Sequence, residues 1–336
     1  MYIQDIDLKL KDWAFSQRKG LPYELKLLLS ERRIRDWYDF WQGDVYVSFS
    51  GGLDSTILLH MVRKFYPKVE AVFCDTGLEY PELKQFVKKF NNVTILRPEI
   101  SFREVIKKYG YPLISKETAA KIRKLRHGNL SERYRNYLLN GDERGKLGKL
   151  AEKWKFLLNA PFDTSEKCCD VMKKKPFKKF HKQTNKYPFL GITQDEGFQR
   201  QRQYEKTGCN VYEANAPKSQ PLGFWTKQDI LRYAIENNIE ICSVYGDIVC
   251  ENGVYRTTGV QRTGCMFCAF GCHLEKYPNR FQKMQTTHPQ LYSYCMKKWD
   301  DGGLGMADVL DYIHVPYMDK EHIKCDGKCY LQTKLI

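Results

Sequence analysis

The sequence lacks any apolar run that approaches the ~18–20 residues needed to span a lipid bilayer. Its first eleven residues alternate charged residues with Ile and Leu, and they do not form the apolar stretch of a secretory signal peptide. Internal repeats and low-complexity tracts are also absent. We therefore expect a cytoplasmic protein with no membrane partner, and the sequence leaves its oligomeric state open.

Acidic residues are too few to balance the basic ones. The 336 residues include 55 Lys and Arg but only 40 Asp and Glu, which gives a net charge of +15. This balance predicts an anionic partner, which is a nucleotide, a nucleic acid or a protein with an acidic face. Apolar residues make up 42% of the chain and aromatic residues 14%, so we expect a sizeable core in one large or two smaller domains.

The first half of the chain alternates helical and strand-like segments. Residues 8–41 carry a helical apolar pattern with a break at residues 20–22. Three segments are rich in strand-forming residues: Asp44–Ser50, Val69–Cys74 and Asn92–Leu96. An apolar helix is expected at Thr56–Phe65, between the first two strands. Strand, turn, helix and strand form a βαβ unit, which predicts an α/β fold with a mainly parallel sheet and helices on both faces.

The turn after the first strand, S-G-G-L-D-S at residues 50–55, predicts an anion-binding site. Gly51 and Gly52 let the backbone bend sharply and remove the Cβ atoms that would keep a ligand away. Backbone N–H groups at the helix start point outward together, and the helix dipole adds to their positive potential. Three hydroxyl groups can donate to phosphate oxygens: those of Ser50, Ser55 and Thr56. Asp54 either caps the helix or holds a cation, and a plain capped turn is the structural alternative.

Two motifs resemble a known family. Residues Ser48–Ser55, S-F-S-G-G-L-D-S, resemble the PP-loop of the ATP pyrophosphatase superfamily. Residues Cys74–Glu82 resemble the D-T-G-x-x-x-P-E signature of the phosphoadenosine phosphosulfate (PAPS) reductase family, a branch of that superfamily. The resemblance implies a twisted, mainly parallel, adenine nucleotide alpha hydrolase-like sheet with the nucleotide across its strand ends. Asp75 and Gly77 then shape the crevice at the sheet end, beside the loop that begins at Ser48.

The middle of the chain, residues 116–154, is rich in Lys and Arg, with Leu and Tyr recurring at helical spacing. One interpretation is a solvated helical hairpin. The other is that Lys116 and the first basic residues meet the anionic end of the substrate, while the rest reach a nucleic acid or an acidic protein. Aromatic residues nearby, at a spacing that suits packing as well as base stacking, are Tyr134, Tyr137 and Trp154.

A second glycine turn, G-I-T-Q-D-E beginning at Gly191, follows a strand-like segment and precedes Arg200 and Arg202. This order suits phosphate or sulfate binding, although Glu196 with Arg200 also fits an ordinary i,i+4 helix pair. The stretch resembles the family's third nucleotide-site loop, G-x-R-x-x-E-S-x-x-R. Thr193 stands where that pattern has its first arginine, which weakens recognition of an anionic group at this loop.

The chain has 12 cysteines, which in a cytoplasmic protein indicate metal ligands, redox groups or buried small hydrophobes rather than disulfides. Cys168 and Cys169 are adjacent, and Cys265-x-x-Cys268 and Cys272 follow much later. The C-x-x-C spacing lets two sulfurs converge on one metal centre, and soft thiolates suit zinc or an iron–sulfur cluster. Structural cysteines, a zinc site and a [4Fe–4S] cluster are therefore the three interpretations.

The cysteine pattern is similar to the Cys-Cys…Cys-x-x-Cys motif of adenylyl sulfate reductases in the PAPS reductase family. The resemblance implies a [4Fe–4S] cluster with four ligands: Cys168, Cys169, Cys265 and Cys268. Cys272 is then an extra cysteine that could replace either member of the adjacent pair. Trp225–Ile230 resembles the family's W-T-x-x-D-[IV] helix start, with Thr226 as N-cap and Asp229 completing a capping-box analogue.

These features predict three parts. The first is a helical N-terminal segment at residues 1–43. The second is a PP-loop nucleotide-binding α/β domain at 44–249, with a basic helical insertion at about 116–160. The third is a cysteine-rich C-terminal region at 250–336 that completes the iron–sulfur site.

The family's reductases attack the sulfur of an adenylyl sulfate with a cysteine thiolate, and a thiol donor then releases sulfite. Such a nucleophile must be mobile, exposed and low in pKa. The family's C-terminal E-C-G-x-H motif is absent here, and the tail offers instead Cys325 and Cys329, each after a lysine. They are interpreted as nucleophile and resolving cysteine or a redox pair, against the alternative of ordinary thiols in a basic tail.

Three functions follow. The preferred one is reduction of adenylyl sulfate (APS) or PAPS to sulfite, with a thiol or electron donor protein such as thioredoxin as partner. In it Lys116, Arg200 and Arg202 neutralise the distal anion of the adenine nucleotide, and Cys325 attacks. The intact loop also resembles family relatives that use ATP, with Mg²⁺, to activate tRNA or DNA for sulfur insertion. The third function is a redox-sensing nucleotide- or nucleic-acid-binding protein with the cluster as its switch.

Overall fold

The computed structural model describes residues 12–194, 198–213 and 216–318. None of the helices in these ranges has the length and apolar character that crossing a membrane requires. The chain forms two compact units, which we call the sheet unit and the cysteine unit. Of the described residues, the sheet unit contains those in 12–99 and 173–264, and the cysteine unit contains those in 100–172 and 265–318.

The sheet unit contains a six-stranded sheet in the order β3-β2-β1-β5-β7-β6. Its strands are β1 (Val45–Ser48), β2 (Glu70–Cys74), β3 (Val93–Leu96), β5 (Tyr187–Leu190), β6 (Asn210–Val211) and β7 (Lys218–Ser219). All neighbouring strands are parallel except β6, which runs antiparallel to β7. A separate hairpin pairs β8 (Ile248–Glu251) with β9 (Val254–Thr257). The predicted α/β fold with a mainly parallel sheet is confirmed.

Helices cover both faces of this sheet. They are α1 (Asp12–Lys19), α2 (Tyr23–Phe40), α3 (Leu53–Phe65), α4 (Pro81–Val87), α8 (Lys175–Thr184), α9 (Phe198–Thr207) and α10 (Lys227–Glu236). Val47 on β1 joins the main core, whereas Tyr46 points to a smaller cluster with Phe180 of α8. Successive strand residues face opposite sides, so both sides of β1 are buried, as in other parallel sheets. The predicted helix break at residues 20–22 is also confirmed.

The start of α10 is fixed by the capping box that the sequence predicted. The Thr226 N–H donates to the Asp229 carboxylate over 2.7 Å, and the Asp229 N–H donates to the Thr226 hydroxyl over 3.3 Å. The same carboxylate pairs with the ammonium group of Lys26 at 2.7 Å. Lys26 is only 3% exposed although it lies on the apolar face of α2. The pair therefore links α2 to α10 through a buried charge that the sequence pattern did not reveal.

The cysteine unit is mostly helical. Its helices are α5 (Phe102–Tyr109), α6 (Lys116–His127), α7 (Glu132–Asn140), α11 (Arg280–Thr287), α12 (Pro289–Met296) and α13 (Met306–Tyr312). Two short strands, β4 (Leu113–Ile114) and β10 (Ala269–Phe270), pair in parallel. The basic segment and the second group of cysteines therefore belong to one unit. The predicted division into three consecutive stretches of sequence, with boundaries after residues 43 and 249, stays a prediction.

The basic segment forms two helices, α6 and α7, as a helical hairpin requires. After α7 the backbone enters a loop in which Gly141, Gly145 and Gly148 have φ values of +96°, +64° and +83°. These left-handed conformations suit glycine and end the helix. A 3₁₀ helix then covers Glu152–Asn159.

Candidate nucleotide loop and thiol cluster

The glycine loop joins β1 to α3 through a conformation that only glycine adopts easily. Gly51 has φ +71°, and a Cβ there would lie 2.9 Å from the Val87 Cγ2 atom. Gly52 is the N-cap of α3 and offers no side chain to the first N–H groups of the helix. Those groups are the positive end of the helix and suit an anion.

Gly191 lies directly against the start of α3. A Cβ at Gly191 would be 2.8 Å from the Ser55 Cα and 2.9 Å from the Ser55 N. The turn after β5 therefore approaches the loop as closely as the backbone permits. The two glycine turns that the sequence singled out are neighbours because β5 pairs in parallel with β1.

The hydroxyl groups of the loop mostly bond to one another. Ser55 Oγ donates to the Gly52 carbonyl over 2.9 Å and lies 3.0 Å from Ser50 Oγ. Because its proton goes to the carbonyl, Ser55 accepts from the Ser50 hydroxyl and, over 3.2 Å, from the Ser50 N–H. The buried Thr56 hydroxyl also donates to the Gly52 carbonyl, so its position favours holding the turn over contacting a ligand. Ser48 is the last residue of β1, next to Leu190 on β5.

Tyr245 and Thr263 belong to this site although the sequence did not identify them as binding residues. The Leu53 N–H donates to the Tyr245 hydroxyl over 3.1 Å, and that hydroxyl lies 2.8 Å from the Thr263 Oγ1 atom. Burial raises the pKa of Tyr245, so it remains a neutral hydroxyl. Leu53 and Tyr245 are far apart in sequence, and no local pattern could have predicted the contact.

A cavity of about 190 Å³ opens beside the loop. Apart from the loop residues, it is lined by Gly191, Thr193, Lys227, Tyr245, Gln261, Arg262 and Thr263. The Lys227 ammonium group donates to the Gln261 carbonyl over 2.9 Å, and the Thr193 hydroxyl lies 3.4 Å from the Asp54 carboxylate. The cavity is smaller than the roughly 300–1,000 Å³ of whole-ligand pockets, so its size suits a phosphate or sulfate group.

The D-T-G turn follows β2 in the same unit. The Gly77 N–H donates to the Asp75 carboxylate over 3.2 Å, and the Lys84 ammonium group lies 2.7 Å from it. Partial burial opposes ionisation, but the bonds from Lys84 and Gly77 hold the pKa of Asp75 below its usual value. The buried Glu79 carboxylate accepts from the Thr76 N–H and hydroxyl, which fixes the turn. Gly77 itself has open space where a Cβ would stand.

The roles of Lys116, Arg200 and Arg202 as anion contacts stay predictions. Arg202 is exposed on α9, and Arg200 occupies the same helix. Lys116 begins α6 in the cysteine unit, whereas the loop belongs to the sheet unit. Cys325 and Cys329 lie outside the described residues, so their proposed catalytic roles stay predictions.

Four of the predicted ligand cysteines lie together in the cysteine unit. The Sγ atoms of Cys168 and Cys169 are 3.9 Å apart. The contact with Cys169, burial, and the nearby thiols of Cys268 and Cys265 all raise the pKa of Cys168. A metal that binds thiolates would have to displace the protons that these neighbours hold in place.

The second cysteine pair is positioned by a turn and a short strand. The Cys268 N–H donates to the Cys265 carbonyl over 3.2 Å, and β10 begins directly after Cys268. The guanidinium group of Arg280 donates to the Cys268 carbonyl over 2.8 Å. Burial raises the pKa of Cys268 above its usual value, while Arg280 and Lys116 act in the opposite direction. Lys116 is therefore a cationic neighbour of the cysteines in this structure.

The environment of Cys272 differs from that of the four clustered cysteines. Its buried thiol donates to the Ala269 carbonyl over 3.0 Å, and burial raises its pKa to about 12. A protonated thiol in a backbone hydrogen bond is typical of a structural cysteine, so this environment favours the other four as ligands.

The four clustered cysteines suit a [4Fe–4S] cluster better than a single metal ion. Within residues 12–194, 198–213 and 216–318, no three His, Cys, Asp or Glu side chains are arranged around a single metal-ion position. A cubane cluster holds its four sulfur ligands further apart than one ion does, and it requires four thiolates with nearby cations or N–H groups. The four clustered thiols, with Lys116 and Arg280 beside Cys268, fit that donor set.

A sequence model described as the phosphoadenosine phosphosulfate reductase domain matches residues 44–145 and 129–269. The chain belongs to the phosphoadenosine phosphosulfate reductase domain family. Both glycine turns, the D-T-G turn and the four clustered cysteines lie within the matched residues.

Curated relatives within and around the PAPS reductase family are distant. An uncharacterised protein of Methanocaldococcus jannaschii is 24% identical over 278 residues, which are 80% of this chain and 50% of that protein. A PAPS reductase of Buchnera aphidicola is 32% identical over 118 residues, 32% of this chain and 47% of that protein. An APS reductase of Bacillus mycoides is 26% identical over 87 residues, 24% of this chain and 37% of that protein. The chain spans about half the length, or less, of the curated relatives it matches.

Among solved structures, a PAPS reductase from Candida auris aligns with a TM-score of 0.37 and 15% identity, over 70% of this chain and 91% of that chain. An FMN adenylyltransferase from Candida glabrata aligns with a TM-score of 0.38 and 13% identity, over 69% and 64% of the two chains.

Proposed function

We propose that the protein is a sulfonucleotide reductase that releases sulfite from APS or PAPS. The observation that carries the proposal is the clustering of Cys168, Cys169, Cys265 and Cys268 beside two cations, in a chain of the PAPS reductase domain family. The anion-binding loop of the sheet unit supports it, because every candidate substrate presents phosphate or sulfate groups.

The loop would hold a phosphate group of the adenine nucleotide. Gly52 offers no capping side chain, and the Leu53 N–H donates to Tyr245, so the next N–H groups of α3, at Asp54 and Ser55, would donate to phosphate oxygens. Lys227 and Arg262 would add positive charge at the far side of the cavity. Arg200 and Arg202, which follow the second glycine turn, are proposed to neutralise the distal anion.

The four clustered cysteines would hold a [4Fe–4S] cluster, which supplies a redox centre and cross-links the two cysteine segments when bound. Lys116 would offset the negative charge of the thiolates. Arg280 would hold the Cys268 backbone through its carbonyl. Cys272 would remain a protonated thiol bonded to Ala269.

The reaction proposed for the tail cysteines balances as a two-step transfer. The Cys325 thiolate attacks the sulfate sulfur, the sulfur–oxygen bond to the nucleotide phosphate breaks, and the nucleotide leaves with that oxygen. The resulting Cys–S–SO₃⁻ group is attacked at its cysteine sulfur by the Cys329 thiolate, which releases sulfite and forms a disulfide. A dithiol donor protein of the thioredoxin type then reduces the disulfide.

The test uses anaerobically purified full-length protein. ATP, APS and PAPS are supplied separately with a dithiol reductant, and sulfite and pyrophosphate are assayed together. We expect sulfite from APS or PAPS, about four iron and four acid-labile sulfide atoms per chain, and loss of sulfite in Cys325→Ser. Cys250→Ser, which changes an exposed cysteine of the β8–β9 hairpin, is the matched control and should keep activity. Absence of sulfite from both sulfonucleotides would refute the proposal.

One observation favours a second candidate function, ATP-dependent activation of a nucleic acid for sulfur insertion. The Asp54 carboxylate lines the cavity beside Thr193, where it could share a Mg²⁺ ion with a polyphosphate. Pyrophosphate release from ATP in the same assay, stimulated by tRNA or DNA and without sulfite from APS or PAPS, would support this function instead.

A further inference from the structure

Helix α7 of the cysteine unit is exposed along most of its length. Residues 131–137 are all exposed, and Leu138 is the buried residue of the helix. Tyr134 and Tyr137 are each 37% exposed, and their rings are nearly parallel, with an interplanar angle of 17° and centroids 6.2 Å apart. Two adjacent exposed aromatic rings on one helix offer flat apolar faces with a polar hydroxyl at the edge of each ring.

The two rings are held in place by their neighbours. Gly148 lies against Tyr137 so closely that a Cβ there would be 2.0 Å from the Tyr137 Cζ atom. The Lys124 ammonium group donates to the Tyr134 hydroxyl over 3.0 Å. The loop that carries Gly148 is itself ordered, because the Asp142 carboxylate accepts from the Lys146 N–H over 2.8 Å. The rings therefore form a preorganised surface, which lowers the entropic cost of binding a ligand.

The basic side chains near the two rings face solvent, whereas some of the basic side chains of α6 are paired with acidic groups. Residues 116–160 contain twelve Lys and Arg but five Asp and Glu. Arg123 forms two hydrogen bonds with Glu166, at 2.8 and 3.0 Å, so part of this charge is neutralised within the unit. The side chains of Arg133, Arg144 and Lys146 are exposed. Positive charge therefore faces solvent on α7 and on the loop that follows it.

We propose that this surface, which we call the α7 face (Lys124, Arg133, Tyr134, Tyr137, Arg144 and Lys146), binds single-stranded nucleic acid. Bases would stack on the tyrosine rings, and the cations would contact the phosphates. Stacking rings with flanking cations are the recurring elements of sequence-tolerant single-strand binding. An acidic protein would use the cations but would gain little from two parallel exposed rings. The α7 face goes beyond the proposed reductase function, because it uses neither the glycine loop nor the clustered cysteines.

The test is fluorescence anisotropy of the full chain with labelled oligo(dT) and oligo(U) of about 20 nucleotides, longer than a typical single-strand site. Tyr134→Ala should raise the Kd about tenfold, the size expected when one stacked base is lost. Tyr134→Phe keeps a ring of nearly the same shape and should bind like the parent. Tyr134 is preferred to Tyr137 because no glycine packs on its ring, and a melting curve checks that each variant is folded.

Salt dependence separates the two parts of the surface. Arg133→Ala should reduce the slope of log K against log salt by about 0.7, the value for one phosphate contact on a single strand. Tyr134→Ala should lower affinity without changing the slope. Arg32→Ala, on α2 of the sheet unit, removes an exposed cation elsewhere and should leave binding unchanged.

Three results would overturn the proposal. The first is the absence of binding to both oligonucleotides at 0.1 M salt. The second is equal affinity of Tyr134→Ala and Tyr134→Phe for the oligonucleotides. The third is a binding affinity that changes in Arg133→Ala alone, which would indicate a face for an acidic protein. Sulfite release from APS and PAPS, measured without nucleic acid, should be the same in Tyr134→Ala and the parent. Failure of the α7 face is therefore distinguishable from failure of the reductase function.

Discussion

Gly191→Ala should damage the anion site strongly, because the new methyl group meets the backbone of the loop. The new methyl carbon would lie 2.8 Å from the Ser55 Cα and 2.9 Å from the Ser55 N. Carbon atoms approach favourably to about 3.5 Å, so one backbone must move by roughly 0.7 Å. The nearest atoms are backbone, which no side-chain rotation can remove. The first turn of α3 must then shift relative to β5.

Two magnitudes follow from this displacement. Overpacking of this kind lowers the unfolding free energy by about 1–3 kcal/mol. In a unit of this size, each kcal/mol lowers the melting temperature by roughly 2–4 °C. A misdirected N–H loses a hydrogen bond to a charged group, which contributes about 1.5–3 kcal/mol. Nucleotide Kd should therefore rise about tenfold or more.

The assay is calorimetric titration with ATP, APS and PAPS, combined with thermal melting. Gly20→Ala, between α1 and α2, is the matched control, since its Cβ would meet nothing closer than the Ser16 carbonyl oxygen at 3.5 Å. Gly20→Ala should leave the nucleotide affinity and the melting temperature unchanged. Unchanged nucleotide affinity in a destabilised Gly191→Ala protein would refute the assignment of the anion site to the start of α3.

Three further predictions concern the same unit. Thr226→Ala removes the capping box of α10 and should lower the unfolding free energy by about 1 kcal/mol, measured by denaturant titration against Thr226→Ser. Tyr245→Phe leaves the Leu53 N–H without its buried acceptor and should cost about 1–3 kcal/mol by the same measurement, whereas an unchanged midpoint would contradict the hydrogen bond. The lowered pKa of Asp75 means that its ion pair with Lys84 stabilises the fold above the ordinary carboxyl range and is lost as pH falls through the lowered pKa. Asp75→Asn should flatten the acid limb of a stability–pH curve below about pH 4, and an identical limb would contradict the pairing.

The sheet's first half was predictable because its signals are local. The β1 strand, the glycine turn, α3 and β2 follow one another, and each has its own apolar pattern or turn residues. The capping box was readable for the same reason, since Thr226 and Asp229 are three residues apart. The burial of Lys26 was not predictable from the sequence, because its partner Asp229 lies on a helix 203 positions later.

The residues of the candidate site also include some that local patterns reveal and others that depend on the folded chain. The loop and the cysteine motif are short patterns, and the sequence identified their residues. Tyr245 and Thr263 could not be found, because their contacts with the loop depend on the folded chain. Lys116 neighbours Cys268, a contact that depends on the parallel pairing of β4 with β10, and its place at the anionic end of the nucleotide stays a prediction. Long-range strand pairing of this kind has no local sequence signal.

The interleaving of the two units fixes an order of events during synthesis. Cys168 and Cys169 leave the ribosome first, and residues 170–264, half of the sheet unit among them, are added before Cys265 and Cys268 appear. At 5–20 residues per second this interval lasts roughly 5–20 s. During that time two adjacent thiols exist without the second pair. If the proposed cluster is bound, its loading would therefore follow translation of residues 170–264.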